Sequence, residues 1–267
     1  STDNGTSWDN RTSPAGTSLH FGGIFFKNNN FMVYTNQNSG HFIRSTDNGS
    51  SFDNMTSAGG GGMATTFGND TFLTVGPSGT IFSSSDNGTS WDNRTSVTAN
   101  HLTAVTFGND TFVAVGENGA IRIFSDGITW TPQTSSYQGS LHCMSIGNNN
   151  FVAVGSGGKI VRSNDKGTSF DNASNTSSHL YGVTFGNNTF VGVGQNGEIV
   201  RSTDNGSSWN NSTSPISSDL YGVTFGNDTF VAVGASGKIV RSTDDGSSWD
   251  NSTSTITTDL KGVTFSE

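Results

Sequence analysis

The stretch LYGVTFGNDTFVAVGASGKIVRSTDDGSSW, residues 220–249, determines the predicted fold. It contains three short apolar strands and leads into a fourth, with predicted bounds at Leu220–Phe225, Thr229–Val233, Lys238–Ser242 and Ser248 to about Ser252. The three turns between them hold Gly, Asn and Asp, which tolerate positive φ. Because no apolar period of 3.6 residues is sustained, we predict an antiparallel four-stranded unit rather than helices.

This unit is repeated along the chain. A Ser-Thr-Asp-x-Gly-x-Ser-Trp motif occurs seven times in outline, with its aspartates at Asp3, Asp47, Asp86, Asp126, Asp165, Asp204 and Asp244. Successive aspartates lie 44, 39, 40, 39, 39 and 40 residues apart. Four strands per repeat of about 40 residues are typical of a β-propeller, in which each sheet covers its neighbour. We therefore predict an all-β, seven-bladed β-propeller of four-stranded antiparallel blades, as a single domain over residues 1–267.

Composition excludes several classes of function. The chain has 267 residues and a formal net charge of −9, with only 12 Lys and Arg and no basic run. A nucleic-acid surface needs a basic stripe, so we expect no nucleic-acid binding. No apolar run is long enough for a membrane span, so we expect no membrane insertion. Cys143 is the only cysteine, and its apolar neighbours indicate a buried, inert thiol.

The segment STDNGSSW, residues 202–209, resembles the Asp-box, or BNR repeat, S-x-D-x-G-x-x-W. The surrounding repeats are similar to bacterial secreted propellers related to the photosystem II assembly factor, and to propeller lectins. The resemblance covers nearly the whole chain, although Phe52 and Phe170 replace Trp and the Asp126 copy is one residue shorter. It implies that the box forms the turn between the third and fourth strands. It implies little about activity, because sialidases, other glycosidases and lectins share the motif.

The two ends of the chain are predicted to form one incomplete blade. Seven first strands and seven fourth strands can be counted, but only six second and third strands. Residues 1–13 and 255–267 are therefore expected to share a split closure blade, which lacks the equivalent of residues 228–241. A six-bladed ring with two loose terminal strands and an incomplete sequence remain alternatives. An unpaired edge there would invite self-association or a partner strand.

The candidate ligand-binding residues lie on the loops that vary between repeats. Those loops join the fourth strand to the next first strand, and the second strand to the third. The candidates are His20, His101, His142, His179, Tyr181, Tyr221, Asp219 and Asp259. Aromatic rings beside small polar groups suit a sugar, because a ring stacks on the apolar face while polar groups bond the hydroxyls. Ordinary surface loops are the alternative interpretation.

Two kinds of site are less favoured. His20, His101 and His179 occupy one repeat position, but no His pair has the spacing of a metal site, and no metal or other cofactor is expected. The arginine triad that the resemblance to sialidases implies is also missing, because Arg44, Arg162, Arg201 and Arg241 recur once per repeat. Glycosidases need two unlike carboxylates facing one bond, and the chain has only three glutamates. We therefore predict no enzyme activity.

Asn-x-Ser/Thr sequences recur throughout the chain, for example at Asn4, Asn69, Asn109, Asn205 and Asn227. In a secreted eukaryotic protein they would be glycan acceptors. Turn formation by Asn-Gly and Asn-Asp accounts for the pattern better.

The leading functional hypothesis is a multivalent, lectin-like propeller, secreted or on the cell surface, with glycans or glycoproteins as partners. A structural or protein-docking scaffold, either an assembly factor or a surface-appendage subunit, is the alternative. A glycosidase is the third.

Overall fold

The computed structural model describes residues 21–27, 30–35, 42–55, 61–125, 129–133, 135, 137–252 and 254–265. The chain divides into two compact units, Ser1–Ser96 and Val97–Glu267. The single domain over residues 1–267 stays a prediction. In the described part of the chain, no helix is long and apolar enough to cross a membrane.

The first unit holds two four-stranded antiparallel sheets within its described residues. The strands of one are β1 (Phe21–Lys27), β2 (Asn30–Thr35), β3 (Phe42–Ser45) and β4 (Asp53–Met55); those of the other are β5 (Ala64–Gly68), β6 (Thr71–Val75), β7 (Ile81–Ser84) and β8 (Asp92–Arg94). The strands lie in chain order in both sheets, as expected for strands joined by short turns.

The second unit holds four more sheets of the same topology. Their strands are β9 (Leu102–Gly108), β10 (Thr111–Gly116), β11 (Ile121–Phe124) and β12 (Thr131–Gln133); β13 (Leu141–Gly147), β14 (Asn150–Gly155), β15 (Lys159–Ser163) and β16 (Asp171–Asn175); β17 (Leu180–Gly186), β18 (Thr189–Gly194), β19 (Ile199–Ser202) and β20 (Asn210–Asn211); β21 (Leu220–Gly226), β22 (Thr229–Gly234), β23 (Ile239–Ser242) and β24 (Asp250–Ser252). The predicted all-β class and the four-stranded antiparallel repeat are confirmed.

One local difference from the sequence prediction concerns the turn between second and third strands. It forms a single turn of 3-10 helix in five sheets, at Pro77–Gly79, Glu117–Gly119, Ser156–Gly158, Gln195–Gly197 and Ala235–Gly237. The middle residue has a φ between 53° and 63° in each. Gly and Asn favour this left-handed conformation, and serine also adopts it at Ser78 and Ser236.

The second strands form the core of the repeat. Every residue of β10, β14 and β18 is buried. A strand covered on both faces reads as a continuous apolar run rather than an alternating one, which explains the Phe-Val-Ala-Val pattern in β10 and β14. Fully buried phenylalanines at Phe72, Phe151, Phe190 and Phe230 begin this run in four sheets.

Neighbouring sheets of the second unit interlock through glycine and phenylalanine. The last residue of a first strand is glycine, and a side chain of the next sheet occupies the space where a Cβ would be; this is Ile146 at Gly108 and a phenylalanine ring at Gly147 and Gly186. An ideal Cβ would lie 2.1 Å from the Phe185 ring at Gly147, and 2.0 Å from the Phe225 ring at Gly186. Glycine is needed here for close approach rather than for an unusual backbone angle.

The segment after the last sheet continues this packing. Phe265 lies on Gly226, where a Cβ would be 2.1 Å from its ring, and Gly262 lies beside Gly222. Residues 260–265 thus occupy the position of the first strand of a further sheet. The last of the seven first strands counted in the sequence corresponds to Leu260–Phe265. This strand does not form, because no second strand pairs with the segment within the described residues. The other predicted part of the closure blade, residues 1–13, lies outside the described residues.

The recurring aspartates are turn-forming residues. At the five described positions, one Asp oxygen accepts a hydrogen bond from the serine two residues earlier, at 2.7–2.8 Å. The residue four positions later donates its N–H and its hydroxyl to the same carboxylate, as in Ser248 to Asp244. The Ser248 hydroxyl and N–H, with the Ser242 hydroxyl, lower the pKa of Asp244 to about 2. We call these five segments the Asp turns; Asp3 and Asp126 lie outside the described residues.

Candidate functional site

A β-bulge recurs on the first strands of the second unit. In β17, Leu180 pairs with Gly194 and Gly182 pairs with Val193, so Tyr181 is an extra residue with no direct partner. The same register shift isolates Thr103, His142 and Tyr221. A bulge bends its strand and re-aims the side chain of the extra residue. The variable position that follows the repeated leucine is therefore a bulge, and sequence reasoning missed this.

These bulges bring three predicted site residues together. The ring centroids of His142 and Tyr181 are 6.0 Å apart, and those of Tyr181 and Tyr221 are 5.8 Å apart. Lys261 follows at the equivalent position of the next repeat, with its Nζ 3.6 Å from the centroid of the Tyr221 ring. We call His142, Tyr181, Tyr221 and Lys261 the bulge row. The three rings are half-buried and Lys261 is exposed.

Thr103 occupies the same repeat position but does not extend the row with a ring. Its hydroxyl donates to the backbone oxygen of Leu141 at 2.5 Å and to that of Val115 at 3.2 Å. The row of aromatic side chains therefore begins at His142.

The predicted residues that precede the leucines have a structural role. They accept hydrogen bonds from the middle residues of the 3-10 turns in the preceding sheet: Gly157 N–H donates to His179 Nδ1 at 2.9 Å, Asn196 N–H to Asp219 Oδ1 at 2.9 Å, and Ser236 N–H to Asp259 Oδ1 at 3.1 Å. These backbone N–H groups belong to the left-handed middle residues of the turns, and the three side chains satisfy them. His179, Asp219 and Asp259 thus join the loops of neighbouring sheets and flank the bulge row.

The other two predicted histidines are not placed in this row. His101 lies in the same repeat column as His179, and its backbone N–H donates to Glu117 Oε2 at 3.4 Å. His20 lies outside the described residues. In the described part of the chain, no three His, Cys, Asp or Glu side chains lie close enough to hold a metal ion.

The electrostatics of the row favour neutral rings with a cation at one end. Burial, with His179 nearby, lowers the pKa of His142, whose Nε2 is 2.9 Å from Ser156 Oγ. Burial also raises the pKa of Tyr181, and the Asp219 charge adds to this. Lys261 Nζ donates to Asp259 Oδ2 at 2.8 Å, and this bond raises the pKa of Lys261 and lowers that of Asp259. The rings at His142 and Tyr181 therefore stay uncharged at neutral pH.

Arginines that recur once per repeat link neighbouring sheets. Arg162 Nε donates to the backbone oxygen of Asn205 at 2.7 Å, and Arg201 Nε to that of Asp245 at 3.1 Å. Arg44 Nη1 makes the same contact with Asn87 at 3.0 Å in the first unit. Each acceptor lies in the Asp turn of the following sheet, so these arginines hold turns in place rather than converge on one carboxylate.

The Tyr34 hydroxyl and the Cys143 thiol both lie against other residues, with Tyr34 buried and Cys143 partly buried. Burial raises the pKa of Tyr34 to about 12, and its hydroxyl donates to the Met63 backbone oxygen at 2.8 Å. Burial also raises the pKa of the Cys143 thiol, whose sulfur is 3.8 Å from the Val183 oxygen. Among the described residues, neither group has a general base within hydrogen-bond distance to activate it as a nucleophile.

The bulge row therefore has the properties of a binding surface. Three half-buried rings can contact apolar or planar groups. At one end, Lys261 and Asp259 supply a charged pair.

Comparison with known proteins shows the fold. No protein-family model matches the sequence, and no curated protein matches it significantly. Among solved structures, YCF48 bound to D1 peptide is 18% identical over 88% of this chain and 81% of its own, with a TM-score of 0.68. YCF48 from Cyanidioschyzon merolae is 17% identical over 90% of this chain and 86% of its own, with a TM-score of 0.66. The WD40 β-propeller domain of Doa1 is 10% identical over 93% of this chain and 87% of its own, with a TM-score of 0.70. The six repeated sheets thus have the β-propeller fold.

Proposed function

We propose that this chain is a non-catalytic β-propeller that docks an extended segment of a protein partner along the bulge row. The observation that carries the proposal is the continuity of the row, in which His142, Tyr181, Tyr221 and Lys261 follow one another at 6.0, 5.8 and 3.6 Å. The propeller YCF48 in complex with D1 peptide supports a peptide ligand for this fold.

The spacing of the row fits an extended chain. Side chains on one face of an extended peptide recur every second residue, or about 6.6 Å apart. The tyrosine rings and His142 recur at 5.8 and 6.0 Å. A bound segment would therefore place alternate side chains between successive rings, with its backbone N–H and C=O groups near the 3-10 turns.

The charges at the row suggest the character of that segment. Apolar or aromatic side chains would contact the tyrosines, because partly buried aromatic anchors carry most of the energy in many interfaces. Lys261 and Asp259 would orient the segment at one end, and polar side chains there would contact the exposed ion pair.

Carbohydrate binding, the hypothesis favoured by the sequence, is the second candidate. The adjacent rings of Tyr181 and Tyr221 favour it, because a sugar stacks on such a surface. Against it, His179, Asp219 and Asp259 already accept backbone hydrogen bonds, so fewer polar groups remain to bond hydroxyls.

The finer architecture is also proposed. We infer that the Asp turns are Asp-boxes, that the propeller has seven blades with a reduced closure blade, and that the protein is secreted or lies on the cell surface. The packing of Phe265 on Gly226 supports a seventh blade. The likeness of the repeats to secreted propellers supports the location.

The experiment compares peptide and glycan arrays probed with the full chain. The wild-type chain is expected to bind extended peptides that are rich in apolar residues. The Tyr181→Ala, Tyr221→Ala double variant should bind the same peptides at least about tenfold more weakly, a loss of about 1.4 kcal/mol in binding free energy. Phe26→Ala, which removes another exposed ring, is the matched control and should bind normally. Peptide binding unaffected by the double variant, or no peptide binding, would overturn the proposal. Glycan binding lost only in the double variant would instead support the lectin hypothesis.

A further inference from the structure

The fourth strand of every sheet lies at an edge and carries an exposed position at one fixed register. This position pairs with the central residue of the third strand, for example Asn93 with Phe82 and Asn172 with Val161. The residues at this register in the six sheets are Asn54, Asn93, Pro132, Asn172, Asn211 and Asn251. All six are exposed. Five of the six described sheets thus place an exposed asparagine at the same point of an edge strand.

Asparagine is an unexpected residue for a recurring strand position. It is depleted in strands, because its side chain does not pack well on a pleated surface. The one remaining sheet, formed by β9–β12, has Pro132 at this position, and proline blocks further pairing at a sheet edge. The position therefore tolerates residues that hinder edge-to-edge pairing of sheets.

A serine or threonine lies two residues after each of these asparagines. The five sequences are Asn54-Met-Thr56, Asn93-Arg-Thr95, Asn172-Ala-Ser174, Asn211-Ser-Thr213 and Asn251-Ser-Thr253. Each has the form Asn-x-Ser/Thr without proline in the middle, which is the acceptor sequence for N-linked glycans. We propose that these edge-strand asparagines are N-glycosylation sites, so that each of these sheets carries a glycan chain on its fourth, edge strand.

Turn geometry does not account for these sequences, although it does account for the others. The turn asparagines Asn69, Asn109, Asn187 and Asn227 have φ between 45° and 51°, where asparagine is favoured. The threonine two residues later donates its hydroxyl to the same asparagine's backbone oxygen, as in Thr229 to Asn227 at 3.1 Å. Both members of the pair are thus required by the turn. The edge-strand asparagines have no positive φ, and no described residue gives the side chains of Asn93, Asn172 and Asn211 a hydrogen bond.

The reaction is a glycosyl transfer from an activated sugar diphosphate attached to a lipid. The Asn Nδ2 forms a bond to the anomeric carbon as the bond from that carbon to the diphosphate oxygen breaks. The lipid diphosphate leaves with the bonding electrons, and a base of the transferase takes one proton from Nδ2. An exposed amide on an edge strand also leaves room for a glycan in the folded chain. The inference rests on the exported location proposed above, but not on peptide docking.

The first test is peptide mapping of the full chain purified from its source organism, with and without an amidase that releases N-glycans. The expected result is a glycan mass at Asn93, Asn172 and Asn211 that the amidase removes, with conversion of each asparagine to aspartate. No glycan at any of them would overturn the proposal. Glycans confined to the turn sequences at Asn109 and Asn187 would also overturn it, because edge position would then have no role.

Variants test the role of position in a eukaryotic host that secretes the full chain. Thr95→Ala should abolish the glycan at Asn93, whereas Thr95→Ser should keep it. Pro132→Asn creates an acceptor sequence, because Gln133 and Thr134 follow, and the intact mass should rise by one glycan. Failure of Pro132→Asn to gain a glycan in soluble, folded protein would contradict the proposal. Peptide-array binding by the same samples separates this outcome from failure of the docking function.

Discussion

The interlocking of sheets predicts that Gly186→Ala destabilises the second unit. The added methyl group would lie 2.0 Å from Cγ and 2.2 Å from Cδ1 of Phe225, whereas nonbonded carbons prefer about 3.5–4.0 Å. The Phe225 ring is held by its own sheet, with its centroid 4.6 Å from that of Phe230. Ring and strand must therefore move apart by roughly 1.5 Å to restore van der Waals distance.

The expected cost follows from this overlap. Overpacking of a well-packed core costs about 1–3 kcal/mol, and the lower entropy of the unfolded alanine chain offsets about 0.4–1 kcal/mol. The central values of these ranges give a net loss of about 1.3 kcal/mol, seen as a lower urea midpoint with an unchanged slope. For a domain of this size, the thermal midpoint should fall by about 3–5 °C.

Two other glycines provide controls. A Cβ at Gly262 meets nothing within 4 Å, so Gly262→Ala should leave stability unchanged or slightly higher. A Cβ at Gly226 would lie 2.1 Å from the Phe265 ring, but Phe265 is 40% exposed and is not held in a sheet. Gly226→Ala should therefore cost less than Gly186→Ala. Equal stability of the Gly186 and Gly262 variants would refute the interlocking argument.

Two further predictions concern titration. The pKa of Asp244 in the folded protein is about 2, below its ordinary value of 3.8. The carboxylate therefore stabilises the fold above pH 3.8, and this stabilisation is lost as the pH falls toward 2. The urea midpoint should drop over this range, and the drop should be smaller in the Asp244→Asn variant. A midpoint that is flat between pH 4 and 2 would contradict this. Burial raises the pKa of Cys143, so the native thiol should react with a disulfide reagent far more slowly than the urea-unfolded thiol at pH 8, and equal rates would refute enclosure.

Most of the fold could be predicted from the sequence, because the same pattern of strands and turns recurs in every repeat. The turn residues at positions such as Asn227 and Gly246 mark where strands end, and the apolar run from Phe230 marks a strand covered on both faces. The end of the chain was harder to predict. Leu260–Phe265 has the sequence of a first strand, and the repeat count also shows that its second strand is missing. The sequence pattern does not reveal whether such a segment forms a strand without that partner.

The candidate site could be predicted only in part. Variation between repeats identified His142, Tyr181 and Tyr221, which the structure brings together. Variation alone did not show that His179, Asp219 and Asp259 have a different, structural role. Their side chains accept hydrogen bonds from backbone N–H groups of the neighbouring sheet, and the sequence does not show which groups of two sheets come into contact. The bulge is equally hidden, although one signal was present: the first strand from Leu180 has one residue more than its partner strand requires.

The recurring bulge also has an evolutionary consequence. The residue at the bulge is not matched with any residue across the ladder, so replacing it leaves strand register and core unchanged. Thr, His, Tyr, Tyr and Lys at the five equivalent positions show how much variety one such site accepts. After a repeat is duplicated, each copy can therefore acquire a new contact residue by a single substitution with little effect on stability. A surface built this way can change its partner stepwise while the scaffold is conserved.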